Sequence, residues 1–314
     1  MRKILIIGAS GQVGSELREA LATAYGEKNV LASDIRPQSD DMNYPYQQLD
    51  AMDSSAVRKV LQEEQIEDVY LMAAMLSATA EKNPHRAWQL NMDSLLIVLE
   101  AAREGLVKRI FWPSSIAVFG PDSPKNKCPQ QTIQEPSTVY GISKSAGELW
   151  CDYYFDRYGV DVRSIRYPGL IGSKSQPGGG TTDYAVHIFY EALEKGSYAC
   201  FLSPDRALPM MHMEDAIRAT LEIMSAPKEQ IKVRTSYNIS GISFSPAELA
   251  ISIQERLPDF KMTYAIDSRD EIARSWPNSM DDSAAAKDWG WNAQFDMAML
   301  VDEMMSNIKI PNPM

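Results

Sequence analysis

A tyrosine and a lysine stand four residues apart in the segment Tyr140-Gly-Ile-Ser-Lys144. Residues at this spacing lie on one face of a helix, so the phenol and the ammonium group would point the same way. The pKa of an unperturbed tyrosine is about 10, and lowering it by roughly 3 units requires about 4 kcal/mol of extra stabilisation of the phenolate. A neighbouring ammonium ion contributes to this by Coulomb attraction. The pair predicts that Tyr140 accepts a proton from a substrate alcohol, although surface Tyr/Lys pairs show the same spacing.

Two serines end an apolar run before this pair, in the segment Trp112-Pro-Ser-Ser-Ile. Ser115 lies twenty-five residues before Tyr140. In open α/β sheets, ligands bind at the carboxyl ends of the strands, which is where these hydroxyls are expected. We therefore expect Ser115 to share the substrate oxygen with Tyr140. Ser114 is a further candidate substrate contact, and its alternative role is to cap the end of the strand.

The chain opens with an apolar run that leads into Gly8-Ala-Ser-Gly11-Gln-Val-Gly14 and then into an amphipathic stretch. A strand, a glycine-rich turn and a helix in this order bind the pyrophosphate of a dinucleotide. The glycines permit a tight turn and close approach of the backbone to the phosphates, and the helix N-terminus donates amide groups to the anion. The alternative is an ordinary strand-to-helix turn. The predicted contacts here are Gly8, Gly11, Gln12, Val13 and Gly14.

An acidic residue, Asp34, lies twenty residues beyond the last of these glycines, at the end of a second predicted strand. A carboxylate at this point accepts hydrogen bonds from both hydroxyls of the adenosine ribose and repels a 2′-phosphate. The position therefore predicts NAD rather than NADP as the cofactor, with Ile35 beside it in the site. Arg36 could accept such a phosphate, but we interpret it as a solvated side chain.

The composition excludes several classes of function. The net charge of −11 argues against a nucleic-acid partner, and no apolar run reaches the length of a membrane span. The first strand follows the start directly, which predicts no signal peptide. Three separated cysteines read as free thiols, and three scattered histidines show no metal-ligand spacing. We expect a cytoplasmic protein without a metal.

Strand and helix patterns alternate through the first half of the chain, for example a strand over 109–113, a helix over 139–158 and a strand over 162–166. This alternation predicts an α/β fold with a doubly wound parallel sheet of the Rossmann type and a second, smaller C-terminal substrate lobe. The predicted NAD-binding domain covers 1–167, with 205–242 returning to it. The substrate lobe covers 168–204 and 243–314, and the chain enters it at Pro177-Gly-Gly-Gly180.

These motifs together resemble an extended short-chain dehydrogenase/reductase, the group that includes the sugar-nucleotide epimerases. A narrower resemblance, to the short-chain type of L-threonine 3-dehydrogenase, covers essentially the whole chain. It is carried by L-S-A-T-A-E-K-N-P (76–84), W-P-S-S-I-A-V-F-G (112–120), R-Y-P-G-L-I (166–171), P-G-G-G-T-T-D-Y-A-V (177–186) and W-G-W (289–291). The resemblance implies oxidation of the threonine C3 hydroxyl by NAD to 2-amino-3-oxobutyrate, a step of threonine catabolism.

The resemblance also implies roles for single residues. The residues implied to contact substrate are Ser77, Ser115, Tyr140, Gly179, Thr181 and Thr182. Lys144 would hold the nicotinamide ribose, Asp50 would contact the adenine, and Leu71, Ala73 and Tyr167 would line the cofactor groove. Trp276 would close over the substrate, its alternative role being core packing. A homodimer is also implied, through the helices near 87–104 and 139–158.

The residues agree in part with a small zwitterionic substrate. Backbone amides of Gly178 to Gly180, together with the hydroxyls of Thr181 and Thr182, could anchor a carboxylate. The alternative is that this glycine segment is a flexible linker between lobes. No single acidic residue stands out as the partner of a substrate ammonium group.

Two other classes of function remain as alternatives. The first is a sugar-nucleotide epimerase or dehydratase of the same fold, and the second is a non-catalytic NAD-sensing protein. A sugar-nucleotide epimerase would use the same glycine turn, Asp34 and Tyr140, but it needs a longer substrate lobe and an asparagine-bearing turn where Y-P-G-L-I stands. A dehydratase would want an Asp-Glu pair after Ser115, where Ile116-Ala117 stand. A non-catalytic NAD-sensing protein of the same fold often loses the tyrosine or the lysine, and this chain keeps both.

Overall fold

The computed structural model describes residues 2–39, 42–174 and 178–308. The strands are β1 (Ile4–Ile7), β2 (Val30–Asp34), β3 (Tyr46–Gln48), β4 (Asp68–Leu71), β5 (Arg109–Phe111), β6 (Ser114–Ser115), β7 (Asp161–Arg163), β8 (Ile165–Tyr167), β9 (Gly169–Ile171), β10 (Ser197–Cys200), β11 (Leu208–His212), β12 (Tyr237–Asn238), β13 (Ile242–Phe244) and β14 (Lys261–Tyr264). The helices are α1 (Gln12–Tyr25), α2 (Ser54–Glu63), α3 (Ser77–Lys82), α4 (Pro84–Arg103), α5 (Val139–Tyr158), α6 (Tyr184–Lys195), α7 (Met213–Ser225), α8 (Pro246–Gln254), α9 (Ser268–Ser275), α10 (Ser283–Trp289) and α11 (Met297–Asn307).

The chain divides into two compact units. The first comprises Met1–Ser115, Val139–Arg166 and Ile217–Tyr237, and the second comprises Ile116–Thr138, Tyr167–Ala216 and Asn238–Met314. The predicted bounds of the NAD-binding domain and the substrate lobe stay a prediction, because they assign segments of the chain to the two ligands. Among the described residues, no helix has both the length and the apolar character needed to cross a bilayer.

A six-stranded sheet forms the centre of the first unit, in the order β3-β2-β1-β4-β5-β7, with every pair parallel. Successive side chains of a strand point to opposite faces. Leu5 and Ile7 join a buried cluster with Leu95 of α4 and Cys151 of α5. Ile4 and Ile6, which alternate with them along β1, are also fully buried, and α1 packs against β1 and β2. Both faces are therefore covered, which confirms the predicted doubly wound parallel sheet.

The strand expected over 162–166 is two strands in different sheets. Strand β7 extends the six-stranded sheet, whereas β8 lies between β6 and β12 in a small sheet of three. Ser164, between the two strands, binds Ser236 through a hydroxyl–hydroxyl hydrogen bond and accepts one from Tyr237 N. Because these bonds tie Ser164 to the chain at 236–237, the pairing of the two strands changes there.

The second unit contains two smaller sheets. Strand β11 lies between β9, which is parallel to it, and β13, which is antiparallel, and β10 pairs in parallel with β14. Helices α6, α8 and α11 pack against one another. Glu303 ties α11 to the sheet of β9 and β11, because its carboxylate accepts a hydrogen bond from Ser173, which follows β9, and contacts Nε2 of His212 on β11 at 2.9 Å.

Candidate active site

The glycine turn after β1 is required in part by packing within the chain. Gly8 has a φ of +94°, and a Cβ on it would lie 2.5 Å from the backbone nitrogen of Ala73. A Cβ on Gly14 would lie 2.3 Å from the carbonyl oxygen of Gly8. Both positions therefore exclude a side chain, one because β1 turns against the end of β4 and one because α1 packs on the turn.

Gly11 is different, because packing within the chain does not explain it. A Cβ there would meet nothing closer than 3.5 Å, which is ordinary van der Waals contact. Gly11 caps α1, and the backbone amides of the first helical turn, including those of Gln12 and Val13, lack partners within the helix. The turn thus leaves space that a Cβ would enter, next to unpaired amide donors, which fits a phosphate group.

Asp34 ends β2 next to this turn, and both of its carboxylate oxygens have partners. Oδ2 accepts a hydrogen bond from Ser10 N at 3.1 Å, and Oδ1 accepts from the backbone N and the Nε of Arg36, each at 3.1 Å. Burial acts to raise the pKa of the Asp34 carboxyl, but the hydrogen bonds from Arg36 and Ser10 outweigh burial and lower the pKa. The side chain of Arg36 is 61% exposed, as expected, but it is also paired with Asp34, which the sequence analysis missed.

The remaining predicted cofactor residues of the first unit follow neighbouring strands. Asp50 follows β3 and accepts a hydrogen bond from Met52 N, and Ile35 follows β2 with its side chain exposed. Leu71 is buried at the end of β4, and Ala73 donates its N–H to Ile7. Since β3, β2, β1 and β4 are adjacent and parallel, these residues lie along one carboxyl edge of the sheet, where α/β proteins bind ligands.

Tyr140, Lys144 and Ser115 come together beside β6, as the spacing predicts. The hydroxyl of Tyr140 is hydrogen-bonded to that of Ser115. Lys144 Nζ lies 5.6 Å from the centroid of the Tyr140 ring and 4.4 Å from that of Trp112. It donates a hydrogen bond to the carbonyl oxygen of Pro113 at 2.6 Å. The N-terminal part of α5 therefore presents the phenol and the ammonium group on one side, next to the serine.

Burial dominates the electrostatics of this cluster in the protein alone. Burial raises the pKa of Tyr140 to about 12, with the hydrogen bond to Ser115 acting in the opposite direction. Burial also lowers the pKa of Lys144 to about 7, against the effects of Cys151 and Glu148. A lowering of the tyrosine pKa by Lys144 together with a positively charged cofactor ring stays a prediction, because loss of hydration dominates at both groups in the protein alone.

Ser114 forms part of a buried polar network that the sequence did not reveal. Its hydroxyl donates to Glu148 Oε1 at 2.6 Å, and the same carboxylate binds Arg166 through Nε at 2.8 Å and Nη2 at 2.7 Å. All three side chains are buried. A role for Ser114 in substrate binding stays a prediction, and these bonds favour its alternative, structural role. The position of Glu148, one turn after Lys144 on the same helix face, was the signal in the sequence that could have indicated this network.

Ser77, which begins α3, is buried and lies in a segment tied to both long helices. Asn91 of α4 accepts a hydrogen bond from Met75 N and donates to the hydroxyl of Ser143 on α5. Glu81 of α3 accepts a hydrogen bond from Val139 N at 2.7 Å. These contacts hold the segment with Ser77 against the helix that carries Tyr140.

The other predicted substrate contacts belong to the second unit. Gly179 has a φ of +90°, and its amide and that of Gly180 both donate to Asp183 Oδ2 at 2.7 Å. The carboxylate anchor expected from these amides is therefore already occupied by a carboxylate of the chain. Thr181 is buried, and its hydroxyl has no hydrogen-bond partner in the described structure. Pro177 lies outside the described residues.

Three further residues of the second unit are packed into it. The Cβ of Thr182 lies 2.8 Å from where a Cβ on Gly169 would stand, so the two segments are in close contact. Tyr167 is buried at the end of β8. Trp276 is also buried, and its carbonyl oxygen is the third in a row that accepts a hydrogen bond from Lys125 Nζ. Its burial agrees with core packing, and closure over a substrate stays a prediction.

Known proteins similar to this chain agree with one another in fold. The model of the NAD dependent epimerase/dehydratase family matches residues 4–240. A relative from Staphylococcus saprophyticus, described as an uncharacterized epimerase/dehydratase, is 46% identical over 313 residues, which is 98% of each chain. The solved GalE-like L-threonine dehydrogenase from Cupriavidus necator, in a holo form, is 54% identical with a TM-score of 0.96, covering 98% of this chain and 100% of that one.

A second solved structure is described as a monomeric L-threonine 3-dehydrogenase from a metagenome, in an apo form. It is 46% identical with a TM-score of 0.94 and covers 97% of this chain and 98% of its own. These similarities confirm the resemblance to short-chain L-threonine 3-dehydrogenases that the motifs indicated. The chain belongs to the NAD-dependent epimerase/dehydratase family of enzymes.

Proposed function

We propose that this enzyme oxidises the C3 hydroxyl of L-threonine to a ketone, giving 2-amino-3-oxobutyrate, with NAD as the oxidant. The observation that carries the proposal is the cluster of Ser115, Tyr140 and Lys144 beside the carboxyl edge of the sheet. It supplies what oxidation of an alcohol needs, a hydroxyl to position the substrate oxygen and a group to take its proton. The similarity to two proteins described as L-threonine dehydrogenases indicates which alcohol.

All but one of the residues that would hold NAD belong to the first unit, the exception being Tyr167. The glycine turn and the start of α1 would bind the pyrophosphate, Asp34 the adenosine ribose, and Asp50 the adenine. The groove would be lined by Ile35, Leu71, Ala73 and Tyr167, with Lys144 on the nicotinamide ribose. NAD held by these residues would supply the acceptor for the hydride that leaves C3. Because the guanidinium of Arg36 donates a hydrogen bond to Oδ1 of Asp34, this bond would have to break before that oxygen could bind the ribose.

Tyr140 would take the proton of the substrate hydroxyl while Ser115 holds the same oxygen. With a pKa of about 12, the phenol is protonated at neutral pH in the protein alone. A positive charge brought close to the ring would favour the phenolate. The bound oxidised nicotinamide carries such a charge, and Lys144 adds to it when protonated. Tyr140 therefore acts as base only in the enzyme with oxidised cofactor bound.

The substrate contacts are the less supported part of the proposal. We assign Ser77, Gly179, Thr181 and Thr182 to the substrate, with Trp276 closing over it and Ser114 as a further candidate. The partnerless hydroxyl of Thr181 supports its assignment, because a buried hydroxyl without a hydrogen bond is costly unless a ligand satisfies it.

Association into a homodimer is also part of the proposal. Helix α5 exposes Leu149, Trp150 and Tyr153, and α4 exposes Trp88, so large apolar side chains face outward on both helices. Such side chains grouped on a surface indicate an interaction site. The metagenome relative described as monomeric shows that the same fold also exists without a partner.

A sugar-nucleotide epimerase is the second candidate, because the matching family model and the staphylococcal relative are both described as epimerase/dehydratase. Purified enzyme is mixed with NAD and either L-threonine or UDP-galactose, and NADH absorbance and sugar conversion are followed. We expect NADH to form with L-threonine and no conversion of UDP-galactose. Conversion of the sugar nucleotide without any NADH from L-threonine would contradict the proposal.

A further inference from the structure

The glycine segment of the second unit is closed by a carboxylate from the same chain. Asp183 precedes α6, and its Oδ2 accepts hydrogen bonds from the amides of Gly179 and Gly180, both at 2.7 Å. Two successive amides that converge on one oxygen form an anion-binding concavity. Because Asp183 fills this concavity, a second carboxylate could enter only by displacing it.

The other oxygen of Asp183, Oδ1, accepts no hydrogen bond from the residues that the structure describes. Oδ1 lies 2.8 Å from where a Cβ on Gly180 would stand, so only glycine leaves room for it. No described residue donates a hydrogen bond to Oδ1. A carboxylate in a partly buried position with one vacant oxygen is an acceptor for a cationic donor.

The cations nearest to Asp183 do not bind it directly. His187 and Arg269 act on the carboxylate only through charge at a distance. The guanidinium of Arg269 is bound to Asp267 and lies 3.2 Å from the centroid of the Phe201 ring. Burial raises the pKa of Asp183, although the two amides oppose this, so its negative charge is incompletely compensated.

Residues on both sides of Asp183 add a second observation. The hydroxyls of Thr181 and Tyr184 are buried, and neither has a hydrogen-bond partner in the part of the chain that the structure describes. Three polar groups within four consecutive residues therefore lack a partner. Unsatisfied buried hydroxyls are uncommon in proteins, and a bound ligand is one way of satisfying them.

We infer that Asp183 Oδ1 binds the ammonium group of the amino-acid substrate, with the amides of Gly179 and Gly180 holding the carboxylate in place. The inference rests on the proposed function and names the ammonium partner that the sequence did not. The sequence analysis expected the glycine segment to bind the negatively charged carboxylate of the substrate. In this inference the segment instead helps to bind the positively charged ammonium group. The carboxylate of the substrate must then be bound by another group, such as the hydroxyl of Thr181.

The variant Asp183→Asn tests this with little change of shape. The asparagine carbonyl still accepts from both glycine amides, while an amide NH2 replaces Oδ1 and cannot bind an ammonium group. Asp296→Asn is the matched control, because Asp296 also precedes a helix, α11, and accepts a backbone hydrogen bond there. Circular dichroism and the Kd for NAD establish that both variants are folded.

Two inhibitors separate the charges of the substrate. 1-Amino-2-propanol keeps the hydroxyl and the ammonium group, and 3-hydroxybutyrate keeps the hydroxyl and the carboxylate. Inhibition constants are measured against L-threonine with saturating NAD. We expect Asp183→Asn to weaken inhibition by the amino alcohol about tenfold or more, as for loss of a charged hydrogen bond. Inhibition by 3-hydroxybutyrate should stay unchanged, and Asp296→Asn should alter neither constant.

The opposite pattern overturns the inference. If Asp183→Asn leaves the amino alcohol unaffected, or if it strengthens 3-hydroxybutyrate instead, Asp183 occupies a carboxylate site and does not bind the ammonium group. If the wild type does not oxidise L-threonine at all, the proposed function fails. In that case calorimetric titration with the same two ligands still decides the role of Asp183.

Discussion

The carboxylate of Glu148 binds the guanidinium of Arg166 through two parallel hydrogen bonds, and both side chains are almost fully buried. The hydroxyl of Ser114 donates to the same carboxylate. Glu148 lies on α5, one turn after Lys144, and Ser114 immediately precedes Ser115. The hydrogen bond between Ser114 and Glu148 therefore joins the helix that carries the proposed base to the strand that carries the proposed catalytic serine.

Removing Arg166 should destabilise the protein strongly. Arg166→Met leaves a buried carboxylate without its cation, which costs about 3–5 kcal/mol. The measurement is the free energy of unfolding from urea titration. Arg256→Met is the control, because Arg256 pairs with Asp302 at the surface, where solvent screens the pair, and its loss should cost far less stability. Equal, small losses for the two variants would show that the buried pair does not stabilise the first unit.

Lys144 should make stability depend on pH. Its pKa is about 7 in the folded protein, against an ordinary 10.5 in the unfolded chain. Between these values only the unfolded chain binds the proton, so the free energy of unfolding contributed by Lys144 rises with pH across this window. Lys144→Met lacks this dependence. Its stability relative to wild type should be most favourable below pH 7 and should fall as the pH approaches 10.5.

Urea titrations of both proteins at several pH values measure this difference. Lys195→Met is the control, because Lys195 is an exposed residue paired with Glu191, which raises its pKa. That variant should show no such fall between pH 7 and 10.5. A stability difference between Lys144→Met and wild type that does not change with pH would show that Lys144 has an ordinary pKa.

Asp34 should determine the choice between NAD and NADP. Asp34→Ala removes the proposed acceptor of the ribose hydroxyls and frees the guanidinium of Arg36 to meet a 2′-phosphate. We expect the Kd for NAD to rise about tenfold, as for a lost charged hydrogen bond, and the Kd for NADP to fall. Calorimetry gives both constants. Asp53→Ala, at the exposed start of α2, is the control. An unchanged ratio of the two constants would remove Asp34 from the ribose site.

Lys125 should influence substrate binding through Trp276. Its ammonium group donates to the carbonyl oxygens of Arg274, Ser275 and Trp276, at the end of α9. Lys125→Met releases these carbonyls, and if Trp276 closes over the substrate, the KM for L-threonine should rise several-fold. The Kd for NAD should not change, which separates this effect from general unfolding. An unaffected KM would favour core packing as the only role of Trp276.

The exposed apolar side chains of α5 should hold the proposed dimer together. Leu149 is 64% exposed, and Leu149→Lys places a charge on this surface. Sedimentation should then show dissociation to a monomer, whereas the wild type sediments as a dimer. Ile251→Lys on α8, where the side chain is comparably exposed, is the control and should leave the dimer intact. A wild type that sediments as a monomer would contradict the association itself.

The parts of the fold that local patterns determine were predictable from the sequence. Helix α5 has the predicted bounds, and the glycine turn and Asp34 follow β1 and β2 as expected. These features depend on periodicity and turn chemistry within short segments. The parallel pairing of the six-stranded sheet follows from the alternation of strands and helices.

The features that were missed depend on contacts between distant segments. Arg166 and Glu148 look like surface charges until β8 and α5 bury them together. Asp183 reads as an ordinary residue after two threonines, and only the left-handed turn at Gly179 brings the glycine amides to its carboxylate. The pKa shifts of Tyr140 and Lys144 in the protein alone could not be predicted, because burial of the two side chains cannot be read from their spacing.

The central claim is that Tyr140 takes the proton as L-threonine is oxidised. The most direct measurement is the rate of NADH formation from L-threonine by the wild type and by Tyr140→Phe, with the Kd for NAD of each. The phenylalanine keeps the ring and removes only the hydroxyl. We predict NADH formation by the wild type, its loss in the variant, and equal Kd values. Substantial NADH formation by Tyr140→Phe would contradict the account.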